Sequence, residues 1–195
     1  MQTVLPSNVL LGAVLPRSKV ITAALVFGFA LFTAAMAQLV IPLGFTPVPI
    51  TGQTLAVLLA GGVLGAKAGA ASQLLYVGMG AIGLPFYANH AGGWTAATGA
   101  TGGYLVGFVI AAWIVGRLSE RNQDRSVSTA LGAFLLGTVV IYLVGVPWLA
   151  HSIGVDWNRA AELGAYPFIA GDLFKVTIAG GLLPAAWRLV DRTRE

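Results

Sequence analysis

Six stretches of nearly uninterrupted apolar residues organise this chain: 20–41, 51–65, 68–84, 102–118, 127–150 and 167–190. A helix that crosses a bilayer needs about 20 mostly apolar residues. The pattern therefore predicts six membrane helices, the second of them short. Their limits carry stop signals. Arg17 and Lys19 precede the first stretch and Pro42 closes it; Gly65-Ala66-Lys67 ends the second; Pro85 ends the third; a charged run from Arg117 to Arg125 ends the fourth.

What lies between the stretches alternates in kind. One set of gaps, with the last turn of the stretch before each, holds Arg17 and Lys19, then Lys67, then Arg117, Arg121 and Arg125, then Arg188, Arg192 and Arg194. The other set, 42–50, 85–101 and 151–166, contains Arg159 as its one basic residue. Basic residues collect in cytoplasmic loops. Nine of the eleven Lys and Arg side chains then fall on one side, which predicts both termini in the cytoplasm and a multi-pass protein of the inner or plasma membrane. Residues 1–19 read as a cytoplasmic or interfacial lead-in, because the apolar run is broken by Pro6 and Pro16 and lacks the basic start of a signal peptide. Residues 20–190 form the membrane domain and 191–195 a cytoplasmic tail. The uncharged gaps are rich in Pro, Gly, Thr and aromatics. Irregular backbone at membrane depth is tolerated only against protein or a watery cavity, so the long segment 85–101 is expected to cap a cavity.

Composition agrees with lipid as the solvent. The 195 residues are 57% hydrophobic and 9% charged, whereas a soluble domain carries roughly 25% charged residues. A net charge of +4 would suggest nucleic acid in a soluble chain; here its placement along the spans accounts for it, and no nucleic-acid partner is expected. Cys is absent, which excludes disulfides and thiolate metal sites.

Within the sixth stretch, "GDLFKV" places Asp172 and Lys175 three residues apart, on one face of a helix. A charge in hydrocarbon costs roughly 2.5–3.5 kcal/mol on insertion scales, so such groups pair or face a cavity. Either the two form an ion pair that plugs a polar gap, or they line an outward-facing pocket and offer donors and acceptors to a ligand. The polar loops at the same depth favour the pocket. "GMGAIG" at 78–83 matches a dinucleotide string, but it follows a membrane-like run and no acid appears where one is needed. No GxxxxGKS or GxxxxGKT string occurs, so the chain does not hydrolyse ATP on its own. His90 and His151 are isolated, no metal or cofactor site is expected, and no catalytic arrangement stands out. In the first stretch, Ala30 and Ala34 form a small-xxx-small pair, and Ala24 and Gly28 a second one on an adjacent face. Such faces allow close helix approach, either inside the bundle or against a second membrane protein.

The blocks "IPLGFTPVPITGQTLAVLLAGGVLGAKAGAASQLLYVGMGAIGLPFYANHAGG", "GATGGYLVGF", "VIYLVGVPWL" and "GDLFKV" resemble the BioY family, the biotin-specific substrate-binding (S) subunits of energy-coupling-factor (ECF) transporters. The resemblance covers about residues 20–190. It implies a six-helix bundle with a vitamin pocket near the outer surface, a loop between the first two helices that closes over the ligand, and biotin contacts from Asn89, Asp172 and Lys175. It further implies docking of a transmembrane coupling (T) subunit on Ala30 and Ala34, and two ABC ATPases as the remaining partners. Biotin carries ureido donors, a carbonyl acceptor and a carboxylate. Asp172 could accept from a ureido N–H, or Lys175 could pair with a ligand oxygen. Gln53, at the start of the second helix, and the aromatics Phe86, Trp94 and Tyr104 are candidates for the rest of the pocket. The alternatives are an S subunit for another vitamin, or an intramembrane enzyme using Asp172 and Lys175.

Overall fold

The computed structural model describes residues 4–192. The first three residues of the lead-in and residues 193–195 of the tail, Arg194 among them, lie outside the described residues. The chain folds into helices α1 (Leu10–Val14), α2 (Lys19–Ala37), α3 (Gln53–Leu64), α4 (Ala66–Ala81), α5 (Trp94–Ala97), α6 (Gly102–Ser119), α7 (Val127–Ile153), α8 (Trp157–Gly164) and α9 (Ile169–Arg192). Between α2 and α3 a minimal antiparallel hairpin pairs β1 (Val40–Ile41) with β2 (Ile50–Thr51). The six predicted spans correspond to α2, α3, α4, α6, α7 and α9, and the protein is an all-α membrane bundle. Among the described residues α2, α6, α7 and the α8–α9 segment are long and apolar enough to cross a bilayer.

The second span is shorter than its apolar pattern. At 12 residues, α3 is roughly 18 Å long, against a hydrocarbon core of about 30 Å. The chain ahead of it is the hairpin, and the space beyond its first turn is a chamber. At its other end a single residue, Gly65 at φ 82°, reverses the chain into α4. The left-handed region is open to glycine and strained for other residues. The reversal brings backbones together: a Cβ on Gly69 would lie 2.9 Å from the Ala60 carbonyl oxygen, and one on Gly116 of α6 would overlap the Ala66 nitrogen. Small residues take the place of a hydrophobic drive between helices in lipid. The freed N–H of Ala66 at the start of α4 donates to Glu120 Oε1 at 3.0 Å, an acid where a helix N-terminus favours one.

The connections sort to two ends. One end holds the hairpin loop, the α4–α6 segment and α8. The other holds the lead-in, Gly65 and the α6–α7 loop. Residues of the lead-in pack on this second end, with Leu5 and Val9 buried beside Leu64 and Leu183 in one apolar cluster. There Asp124 is buried and accepts from Trp187 Nε1 at 2.7 Å, while its Oδ1 has no partner among the described atoms. The Arg125 guanidinium stacks 3.3 Å over the Trp187 ring.

Burial raises the Asp124 carboxyl above its ordinary 3.8, the Trp187 bond and Arg125 offsetting part of the effect. The folded state therefore holds this proton more tightly than the unfolded chain. Stability from the group is full below 3.8 and falls as pH rises from there through the raised value. Asp124→Asn is expected to flatten that part of the curve of unfolding midpoint against pH. Parallel curves for the two proteins would mean that the carboxyl ionises freely.

Candidate functional site

A cavity of about 630 Å3, counting its space open to the outside, lies at the hairpin end of the bundle. Three helices begin at it: α3 contributes Gln53 and Thr54, α6 begins beside Thr101, and α9 contributes Asp172 and Lys175 in its first turns. Each such end adds partial positive charge toward the cavity. The remaining wall is apolar and aromatic, from Tyr87, Tyr104, Leu105, Phe108, Ile141 and Phe168. Val48 and Pro49 of the hairpin loop close part of it. That loop is tied across the chamber by Thr46, whose hydroxyl donates to the Leu163 carbonyl of α8 at 2.7 Å.

The charged pair forms one side of the wall. Lys175 Nζ lies 2.9 Å from Asp172 Oδ1 and donates to Thr54 Oγ1 at 2.9 Å. The Thr54 hydroxyl in turn donates to Asp172 Oδ1 at 3.1 Å. From α7, Tyr142 donates its phenol hydrogen to Asp172 Oδ2. A carboxylate has about four lone-pair positions and an ammonium three N–H groups. Asp172 thus keeps acceptor capacity on Oδ2, and Lys175 keeps a donor. The triangle neutralises the pair in low dielectric while leaving one acceptor and one donor beside an aromatic surface. Both residues border the chamber.

Of the other predicted site residues, Gln53 and Tyr104 are also in the wall. Gln53 is largely committed within the protein. Its amide donates to the Tyr76 hydroxyl and its carbonyl accepts from Thr51 at 2.7 Å. Tyr104 fixes its ring by donating to the Gly164 carbonyl at 2.8 Å, in a slot that requires Gly145, where a Cβ would strike the ring, and Gly164, where one would strike the hydroxyl.

Phe86, Asn89 and Trp94 are not brought to the wall. From this segment Tyr87 and Ala88 reach the chamber. Phe86 packs against the apolar core, and Trp94, at the start of α5, is 72% exposed. Asn89 is exposed one residue past the wall, with φ 58°, followed by His90 at φ 56°. Two successive non-glycine residues in the left-handed region are costly. The Gln38 side chain anchors this turn, accepting from the His90 N–H at 3.1 Å and donating to the Tyr87 carbonyl at 3.1 Å.

Ala30 and Ala34 do not form an open docking surface. Both are buried in the cluster that contains Val57 and Tyr76, so their small size serves packing of α2 inside the bundle. The adjacent pair behaves differently: Ala24 and Gly28 are exposed, and a Cβ on Gly28 would meet no atom within 4 Å.

Thr54, Tyr142, Tyr87 and Phe108 were not among the sequence candidates. A polar hydroxyl inside the apolar run 127–150 was the available signal for Tyr142. For Thr54 and Phe108 the signal is helical register relative to Asp172, which needs the packing; Tyr87, in the irregular segment after α4, carried none.

Comparison with known proteins adds the following. The model of the BioY family matches residues 10–192. A biotin transporter BioY of Rhizobium etli is 41% identical over 161 residues, covering 77% of this chain and 86% of that protein. One of Thermotoga maritima, also named biotin transporter BioY, is 40% identical over 152 residues, covering 76% and 87%. A solved structure described as the S-component for biotin from an ECF-type ABC transporter is 26% identical, with a TM-score of 0.79 over 87% of this chain and 92% of that one.

Proposed function

The chain belongs to the BioY family, and from that premise we propose that it is the biotin-binding S component of an ECF-type uptake transporter. It is a transport component and not an enzyme. The observation that carries the reading is the chamber. One neutralised acid–base pair offers a donor and an acceptor beside an aromatic wall, and three helix N-termini favour an anionic group. This suits a fused ureido ring with a carboxylate tail. The distribution of basic residues supports an orientation with the chamber toward the outside and both termini in the cytoplasm, in the cell's inner or plasma membrane.

In this reading biotin binds beneath the hairpin loop, and Asn89 reaches it from the rim when the α4–α6 segment tightens. The sequence carries no GxxxxGKS or GxxxxGKT string, and in this reading a membrane coupling subunit and two ABC ATPases supply the energy. The exposed Ala24–Gly28 face of α2 is the surface we assign to the coupling subunit. Gly28→Trp is expected to leave biotin affinity unchanged and to abolish partner-driven uptake in reconstituted vesicles. Normal uptake by that variant would remove α2 from the docking surface.

Direct titration tests the function itself. A ligand at about 100 times its Kd stabilises the folded state by roughly 2.7 kcal/mol, which for a chain of this size raises the unfolding midpoint by roughly 5–10 °C. Biotin is expected to produce this rise in the purified protein; thiamin and riboflavin are not. A midpoint unmoved by biotin but raised by another vitamin would reassign the ligand. Recovery of chemically altered biotin would return the enzyme reading.

A further inference from the structure

Beside the chamber lies a second recess, a crevice between the C-terminal end of α2, the hairpin and α9. It measures about 960 Å3, counting its space open to the outside. Its walls are apolar, from Met36, Leu39, Ile41, Leu55, Phe174 and Ile178. Leu39, Ile41 and Phe174 are each more than half exposed, so the crevice opens on the lipid-facing side of the bundle. Two residues, Thr51 and Lys175, border both the crevice and the chamber. The stem of Lys175 is thus the partition between them, held by the bonds from its ammonium to Asp172 and Thr54.

We propose that this crevice is a tail subsite, through which substituents attached to the ligand's carboxyl group leave the chamber, so that the protein binds biotin amides as well as biotin. The proposal rests on biotin being the ligand. Lys175 is the one cationic side chain in the chamber wall among the described residues. A buried carboxylate without a partner is strongly disfavoured, and the N-terminus of α3 adds to the attraction at the same place. The anionic end of biotin takes the one donor that Lys175 keeps beyond its bonds to Asp172 and Thr54, and the bicyclic rings lie against Tyr104, Phe108 and Phe168. A group joined at that carboxyl points past the Lys175 stem. The next space in that direction is apolar and matches an alkyl chain.

The test is displacement of labelled biotin from the purified protein in nanodiscs by N-methyl, N-butyl and N-hexyl biotinamide, with N-methylation of the ureido ring as the contrast. Every amide loses one charge-assisted contact, so each is expected to bind roughly tenfold to a hundredfold more weakly than biotin. Lengthening the chain is expected to cost nothing further, whereas ureido methylation abolishes displacement. Ile178→Trp, which fills the crevice outside the chamber, is expected to leave biotin affinity unchanged and to weaken N-hexyl biotinamide more than tenfold relative to the N-methyl compound. Leu55→Trp fills the same space from α3 and serves where the first variant does not fold. An affinity that collapses from methyl to hexyl in the wild-type protein overturns the subsite, as does a filled crevice without effect on the hexyl compound. Biotin that fails to displace itself overturns the ligand assignment and the subsite with it.

Discussion

Lys175→Ala is expected to weaken biotin binding on the order of a hundredfold or more and to lower the unfolding midpoint. Asp172→Asn/Lys175→Met is expected to recover the stability and not the affinity. The two effects separate because they arise from different features of the same pair. Removing the lysine alone leaves the Asp172 carboxylate buried, with only the Thr54 and Tyr142 hydroxyls to hold its charge. Breaking a buried pair on one side typically costs roughly 3–5 kcal/mol, whereas replacing both charges with neutral groups of similar volume is often neutral or stabilising. Binding has no such remedy, because the donor on Lys175 and the acceptor on Asp172 are the groups offered to the ligand. Titration and thermal unfolding of both single variants and the double variant complete the cycle. Wild-type affinity in the double variant would reduce the pair to a structural plug.

The pair was legible in the sequence because lipid makes charge rare. Two ionisable groups in a run of apolar residues stand out against a background that cannot hide them, and their spacing alone put them on one face. The spans were legible for the same reason, and their limits at Pro42, Gly65 and the 117–125 charges lie within a few residues of the observed helix ends. The hairpin was not. Two residues paired with two leave no periodicity, and Val40 and Ile41 continue an apolar helix pattern without a break. What ends α2 early is tertiary: Gln38 turns its side chain to the α4–α6 segment, donating to the Tyr87 carbonyl.

Facing was the less legible part. Ala30-x-x-x-Ala34 and Ala24-x-x-x-Gly28 are equivalent as strings, and only the position of α4 decides that the first is buried. The buried bonds between Thr33 of α2 and Gln73 of α4 set that facing. In the same way Phe86 and Tyr87 are neighbours, and only the second reaches the chamber wall. Aromatic content announced a pocket, but which ring lines it depends on register.

Gly116→Ala is expected to destabilise the protein severely and to weaken biotin binding, whereas Gly28→Ala is expected to do neither. The chemistry of the two changes is identical and their surroundings are opposite. At Gly28 the added methyl points into open space, and alanine is the better helix former by about 1 kcal/mol. At Gly116 it would overlap backbone atoms of Gly65 and Ala66, which cannot swing aside as a side chain can. Relief requires α6 to move from the α3–α4 reversal, loosening the Glu120 bond to the Ala66 N–H. Overpacking of this kind costs roughly 1–3 kcal/mol, and more where backbone must shift. The consequence extends to the chamber because α3 is short and stiff. Displacing its Gly65 end tilts its Gln53–Thr54 end, and Thr54 is one corner of the triangle that aligns Lys175 with Asp172. Unfolding midpoints and biotin titrations of the two variants, measured side by side, check both halves. A Gly116→Ala protein as stable as wild type would mean that the α3–α4 reversal and α6 do not meet at this crossing.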